Sequence, residues 1–193
     1  MGSIIDKEAL HEQFPTQLHE PEFWEALGRV VATFGFLEEI LAKAIFALTG
    51  TKSYSDDAIV EAFEKWVPKL EKALSDTLNP LIDTFGKAVK DHQDANIQNF
   101  DDLLEELRKA AEVRNVLCHG SWRAPDDNSA SVPFFVNRKQ LVFASAIDCK
   151  YLNQVQAHAQ DLICEVVNTV THMGWQFPSS NGPGEPIFTK TTQ

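Results

Sequence analysis

One segment of the sequence constrains the fold more than any other: apolar side chains recur at three- and four-residue steps from about Pro21 to Leu48. This spacing is that of one face of an α-helix, and it predicts a single long amphipathic helix. Pro21 suits a first helical turn, and the Thr-Gly-Thr sequence at 49–51 supplies a stop. The same periodicity returns along the rest of the chain, so the sequence predicts a mainly α fold.

The remaining helical patterns predict a bundle of about five helices in one domain, residues 21–176. Pro68 kinks or restarts the second of them. Short β-rich runs predict a small β-hairpin at about 132–144, inserted before the last helix. We expect an irregular N-terminal segment at 1–20 and a flexible tail at 177–193. The other helices are predicted near 59–78, 80–89, 99–119 and 148–173.

Composition excludes several classes of protein. With 44% hydrophobic and 23% charged residues, the chain is not disordered or fibrous. No run approaches the roughly 20 apolar residues of a membrane span, and the acidic start lacks a signal peptide's apolar core. The three cysteines lack the paired spacings of zinc or redox motifs. We therefore expect a cytoplasmic protein with buried, reduced thiols, no metal, no cofactor and no membrane contact.

The acidity of the chain restricts the ways in which it could bind nucleic acid. Its 17 basic and 28 acidic residues give a formal net charge of -11, which repels a phosphate backbone. The excess of acidic residues is unevenly distributed, because residues 1–107 carry a net charge of -12 and residues 108–193 carry a net charge of +1. The counts argue against broad coating of RNA. They are compatible with a confined site whose substrate binding is weak and depends strongly on the salt concentration.

Two charges project onto apolar stripes. At about 100° per residue, Glu38 projects into the apolar arc of the first helix, and Arg114 projects into that of the fourth. A buried charge without a partner costs several kcal/mol or more, so we hypothesise that the two side chains face each other across packed helices. A local rotation of either helix, an Arg114 that extends to solvent, and a purely structural ion pair remain alternatives.

The same arginine opens a recognisable motif. The sequence Arg114-Asn115-Val116-Leu117-Cys118-His119 resembles the R-N-x-x-x-H signature of the HEPN superfamily. That resemblance implies a small all-α domain and a metal-independent endoribonuclease. It also implies a homodimer whose motif helices face each other and form a composite site. Among prokaryotes, such domains serve as toxins or defence effectors, sometimes beside a nucleotidyltransferase-type antitoxin.

The residue types of the motif suit RNA cleavage by 2′-hydroxyl attack on the adjacent phosphate. This chemistry needs a group that moves protons near neutral pH and a fixed cation for the charge that builds on phosphorus. His119 and Arg114 fit these two roles. Asn115 lies four residues before His119, on the same helical side, where its amide could orient the imidazole or bind a phosphate oxygen. The predicted supporting residues are Glu38, Trp122, which could stack an RNA base or be a simple core residue, and Arg123.

Other interpretations of the motif stay open. The helix dipole favours a C-terminal histidine in any protein, and Gly120 is an ordinary stop signal. HEPN-like domains also occur as inactive dimeric binding or scaffold modules, and a purely structural helical subunit is a further alternative. The remaining helical histidines are expected at surface or boundary positions and not as metal ligands: His92, His158 and His172.

Overall fold

The computed structural model describes residues 4–51, 55–95 and 97–180. The described residues form five α-helices, which confirms the predicted mainly α fold, and a helical bundle fits this content. A three-residue 3-10 turn, Lys7–Ala9, precedes them. The helices are α1 (Pro21–Gly50), α2 (Ile59–Ser75), α3 (Leu78–Lys90), α4 (Phe100–His119) and α5 (Cys149–His172).

The chain divides into two compact units. The first unit comprises Met1–Ala32 and Val113–Gln156, and the second comprises Thr33–Glu112 and Ala157–Gln193. Consequently α1, α4 and α5 each contribute residues to both units. The proposal of a single domain over 21–176 stays a prediction.

Local sequence explains where the helices begin and end. The first helix starts at Pro21 and runs to Gly50, as its periodicity predicts. The carboxylate of Asp148 accepts a hydrogen bond of 2.7 Å from the backbone N–H of Tyr151, so it caps α5 as expected. Pro68 lies inside α2 without ending it.

The loop between α4 and α5, in the first unit, does not show the predicted β-hairpin. It contains three isolated antiparallel bridges, which join Ser121 to Phe134, Ser131 to Ile147 and Val136 to Val142. The two predicted runs meet at the Val136–Val142 bridge, where the N–H of Asn137 donates to the carbonyl oxygen of Leu141 at 3.0 Å and the N–H of Phe143 donates to that of Phe135 at 2.9 Å. This pairing is too short to form two strands.

In the second unit, α3 lies close against the first half of α4. A Cβ built on Gly86 would meet Leu104 Cδ1 at 3.0 Å, so the glycine permits this approach. The rings of Phe85 and Phe100 meet edge to face with centroids 5.6 Å apart. Ion pairs at the margins join Lys90 to Asp101 at 2.6 Å and Arg108 to Asp83 at 3.1 Å.

Several expectations about individual residues need correction. Cys118 and Cys164 are exposed free thiols and not buried ones. His92 is buried and does not lie at the surface; its Nε2 is 3.2 Å from Thr51 Oγ1, and its ring meets that of Trp175 edge to face.

The end of the predicted tail lies outside the described residues, at 181–193. At its start, Phe177 is only 2% exposed, so the chain is packed up to this residue. No helix within the described ranges is long and apolar enough to cross a membrane.

Candidate functional site

The last turns of α4 carry the three motif residues. Arg114 and Asn115 are half-buried, whereas His119, the final residue of the helix, is exposed. The helix bears Asp101 and Asp102 in its first turn and His119 in its last turn. This distribution matches the helix dipole, which favours acidic side chains at the start of a helix and basic ones at its end.

A hydrogen bond connects the cation of the motif to its amide. Arg114 and His119 are five residues apart, so their Cα–Cβ directions differ by about 140° around the helix axis. Asn115 and His119 differ by only about 40°. Arg114 Nη1 donates to Asn115 Oδ1 at 3.4 Å, at the long end of hydrogen-bond distances. The guanidinium therefore reaches toward the side of the helix that carries the histidine.

The residue after the histidine is tightly enclosed. A Cβ built on Gly120 would lie 2.6 Å from the carbonyl oxygen of Val116 and 2.8 Å from Cβ of Pro133. The backbone N–H of Gly120 donates to that carbonyl oxygen at 2.8 Å, which extends the hydrogen-bond pattern of α4. Ser121 then pairs with Phe134 through two backbone hydrogen bonds of 2.8 and 2.9 Å. These contacts fix the exit of the chain beside His119.

Trp122 belongs to an aromatic cluster in the first unit. Its ring meets Phe23 edge to face at 4.9 Å, and it meets His19 and Trp24 at 6.1 and 6.4 Å. His19 in turn stacks on Phe23 with centroids 4.2 Å apart. The indole is half-buried, so the packing interpretation of Trp122 is supported by four rings in mutual contact. Stacking on an RNA base stays a prediction.

Arg123 has a fixed backbone and an exposed side chain. Its carbonyl oxygen accepts a 2.8 Å hydrogen bond from Ser131 Oγ, and it lies 2.8 Å from His19 Nε2. That nitrogen therefore carries the proton, because a carbonyl can only accept. The guanidinium lies over Phe134, 5.5 Å from the ring centroid, in a cation–π geometry. A positive charge is thus held near the end of α4.

His19 is the positioning residue that sequence reasoning missed. It lies in a segment without helical or strand periodicity, and its partner Arg123 is 104 positions away along the chain. The local signal is a histidine four residues before Phe23, at the entrance of a helix. Only the folded chain shows that its ring joins the N-terminal segment to the segment after the motif.

Glu38 lies at the margin of the apolar stripe of α1, and it is half-buried. The projection from sequence is displaced because it counts Val31 in the apolar arc, whereas Val31 is 37% exposed and Val30 is fully buried. With Val30, Leu37 and Leu41 in the buried stripe, its centre lies about 80° from Glu38. The proposed pairing of Glu38 with Arg114 stays a prediction.

No three His, Cys, Asp or Glu side chains among the described residues are grouped so that they could hold a metal ion. Comparisons with known proteins give no relative: no family model matches the chain, and no curated protein or solved structure matches it either.

Proposed function

We propose that the chain is a metal-independent endoribonuclease of HEPN type, with Arg114, Asn115 and His119 as its catalytic residues. The observation that carries the proposal is the hydrogen bond from Arg114 to Asn115 at the end of a helix that finishes in an exposed histidine. An arginine, an amide and an imidazole are thereby available on adjoining parts of one helix end.

The proposed reaction forms one bond and breaks another. The 2′-oxygen of a ribose attacks the adjacent phosphorus while the bond from phosphorus to the 5′-oxygen breaks. His119 takes the proton of the 2′-hydroxyl, and a proton is returned to the 5′-oxygen, which leaves as a hydroxyl. Arg114 stabilises the negative charge on the phosphoryl oxygens. The products are a 2′,3′-cyclic phosphate and a 5′-hydroxyl end.

The proposal includes a homodimer, because the resemblance of the segment from Arg114 to His119 to the R-N-x-x-x-H signature implies one. In such a dimer, two copies of α4 would face a single RNA strand and form a composite site. A toxin or defence role, with a nucleotidyltransferase-type antitoxin as partner, completes the proposal. It predicts that expression of the wild type slows the growth of a host, and that expression of His119→Ala does not.

The direct test is cleavage of total RNA by the purified protein in the presence of EDTA. The expected result is fragments that end in 2′,3′-cyclic phosphate. Loss of a general acid–base group should slow cleavage by about 10²- to 10⁴-fold in His119→Ala. The matched control is His172→Ala, which removes an exposed histidine from the last turn of α5 and should cleave at the wild-type rate.

Two results would refute the proposal. If His119→Ala cleaves RNA as fast as His172→Ala, the histidine of the motif has no catalytic role. If the folded wild type leaves RNA intact, the chain is no ribonuclease, and an inactive scaffold becomes the better interpretation.

A further inference from the structure

The outer face of α2, in the second unit, is apolar but uncovered. Ala73 is the one buried residue of this helix, all of which the structure describes. The large apolar side chains Val60, Phe63 and Leu74 are 66%, 61% and 71% exposed. Contiguous exposed apolar surface of this kind typically marks an interaction site.

Helical geometry separates the covered and uncovered sides of α2. At about 100° per residue, the inward side is centred on Ala62, Trp66 and Ala73. A second apolar stripe lies beside it, at alternating steps of three and four residues. This is the spacing that packs against a single partner helix. We call it the outer stripe, and it consists of Val60, Phe63, Val67, Leu70 and Leu74, of which Val67 and Leu70 are half-buried and the others exposed.

The outer stripe is continuous with apolar surface at the end of α1. Trp66 lies between Phe63 and Phe46, with ring centroids 6.0 and 5.6 Å away. Phe46 is 42% exposed. It also lines an open cavity of about 340 Å³ with Phe177. Through Trp66, the stripe is therefore continuous with the aromatic surface at the end of α1 and is not an isolated row of side chains.

Acidic residues line the margin of the outer stripe that lies away from the inward side of α2. Glu64 and Glu71 are seven residues apart, on one side of the helix next to the stripe, and both are exposed. Asp57, seven residues before Glu64, continues the row just ahead of the helix. Within the described part of the chain, neither Glu64 nor Glu71 has an ion-pair partner, whereas Glu61 pairs with Lys65 on the far side. The margin therefore presents negative charge that is available to a partner.

This charge decides between the possible occupants. If two copies of the chain paired antiparallel through α2, Glu64 and Glu71 of one copy would face the same carboxylates of the other, which is unfavourable. The anionic headgroups of a membrane surface would be repelled in the same way. A helix that carries cations beside its apolar stripe would gain charge-assisted contacts along the whole margin.

We propose that the outer stripe of α2 docks an amphipathic helix of another protein, one with a row of Lys or Arg beside its apolar residues. The mode is that of one amphipathic helix packed against another, with apolar anchors at the three- and four-residue steps and the acidic margin setting the partner's orientation. The inference is independent of the ribonuclease proposal, because it uses residues of the second unit only.

The test uses two synthetic helical peptides with the same leucine spacing, one flanked by lysines and one by glutamates. The wild type should bind the lysine peptide in fluorescence anisotropy and should bind the glutamate peptide at least about tenfold more weakly. The variant Phe63→Ser should no longer bind the lysine peptide. An unchanged far-UV circular dichroism spectrum would show that this variant is folded. The double variant Glu64→Lys/Glu71→Lys should reverse the preference between the peptides.

A matched control separates local from global charge. Glu12→Lys/Asp127→Lys changes the net charge of the chain by the same amount at exposed positions outside α2 and should keep the lysine preference. Equal binding of the two peptides, or a reversal by this control, would overturn the proposal. A wild-type dimer in sedimentation equilibrium that Phe63→Ser converts to monomer would also overturn it, in favour of a second copy as occupant.

Discussion

The close approach at Gly120 leads to a quantitative prediction for Gly120→Ala. The added Cβ would stand 2.6 Å from the carbonyl oxygen of Val116 and 2.8 Å from Cβ of Pro133. The first of these atoms belongs to the helix backbone and the second to a proline ring, so neither can rotate away. The clash of the added Cβ with these atoms can be relieved only if the end of α4 moves, or if the loop that bridges back to it moves.

The size of the effect follows from the cost of overpacking, which is about 1 to 3 kcal/mol. For a domain of 150–250 residues, each kcal/mol corresponds to about 2 to 4 °C in Tm, so Gly120→Ala should lower Tm by roughly 2 to 12 °C. Gly35→Ala is the matched control, because a Cβ added at this position in α1 would have no atom within 4 Å. It should raise the free energy of unfolding by about 0.5 to 1 kcal/mol.

The assay is urea unfolding followed by circular dichroism, supported by thermal scans of the same variants. Gly86→Ala should fall between the other two, because its Cβ would meet the side-chain tip of Leu104 at 3.0 Å and that side chain can turn. If Gly120→Ala proved as stable as Gly35→Ala, the inference that Gly120 is tightly enclosed at the end of α4 would be refuted. The order Gly35→Ala, Gly86→Ala, Gly120→Ala from most to least stable is the expected outcome.

Three further predictions test individual contacts. The hydrogen bond and charge of Lys109 lower the pKa of Glu106, so Lys109→Met should raise that pKa toward its usual range in an NMR titration. Since the lowered pKa favours the folded state only while Glu106 is ionised, the wild type's advantage should be present at neutral pH and vanish as the pH falls through the pKa of the folded state. Thr49→Val removes the acceptor of the 2.8 Å bond from Trp66 Nε1 and should cost about 1 kcal/mol in urea unfolding, whereas Thr49→Ser should not. Phe177→Ala should cost about 3 to 5 kcal/mol in the same assay, since the ring is 2% exposed.

The helices could be predicted because their signals are local. Apolar spacing located all five of those in the described ranges, and Asp148 gave the start of α5. The hairpin could not be predicted in the same way. The β-rich runs have suitable residue types, but the extent of their pairing depends on the path of the whole loop between α4 and α5, and in the structure one bridge, from Val136 to Val142, joins them.

Burial was predicted less well than helicity. The projection of α1 places Glu38 in the middle of the apolar stripe, because periodicity fixes a helix face only to within one residue position. Val31 and Val30 are adjacent in sequence, and only tertiary contacts select Val30 for burial. For α2, the sequence predicted an apolar face. It did not show that much of this face stays exposed to solvent.

The sequence by itself determined the helical elements and the Arg114 to His119 motif, because both depend on residues within a few positions of one another. The tertiary structure alone decided that His19 meets Arg123 from 104 positions away, that Gly120 is enclosed by Pro133, and that the outer stripe of α2 is uncovered. Such contacts join segments whose separation along the chain carries no periodic signal. They are selected by the packing of the whole chain, and for this reason no local pattern reports them.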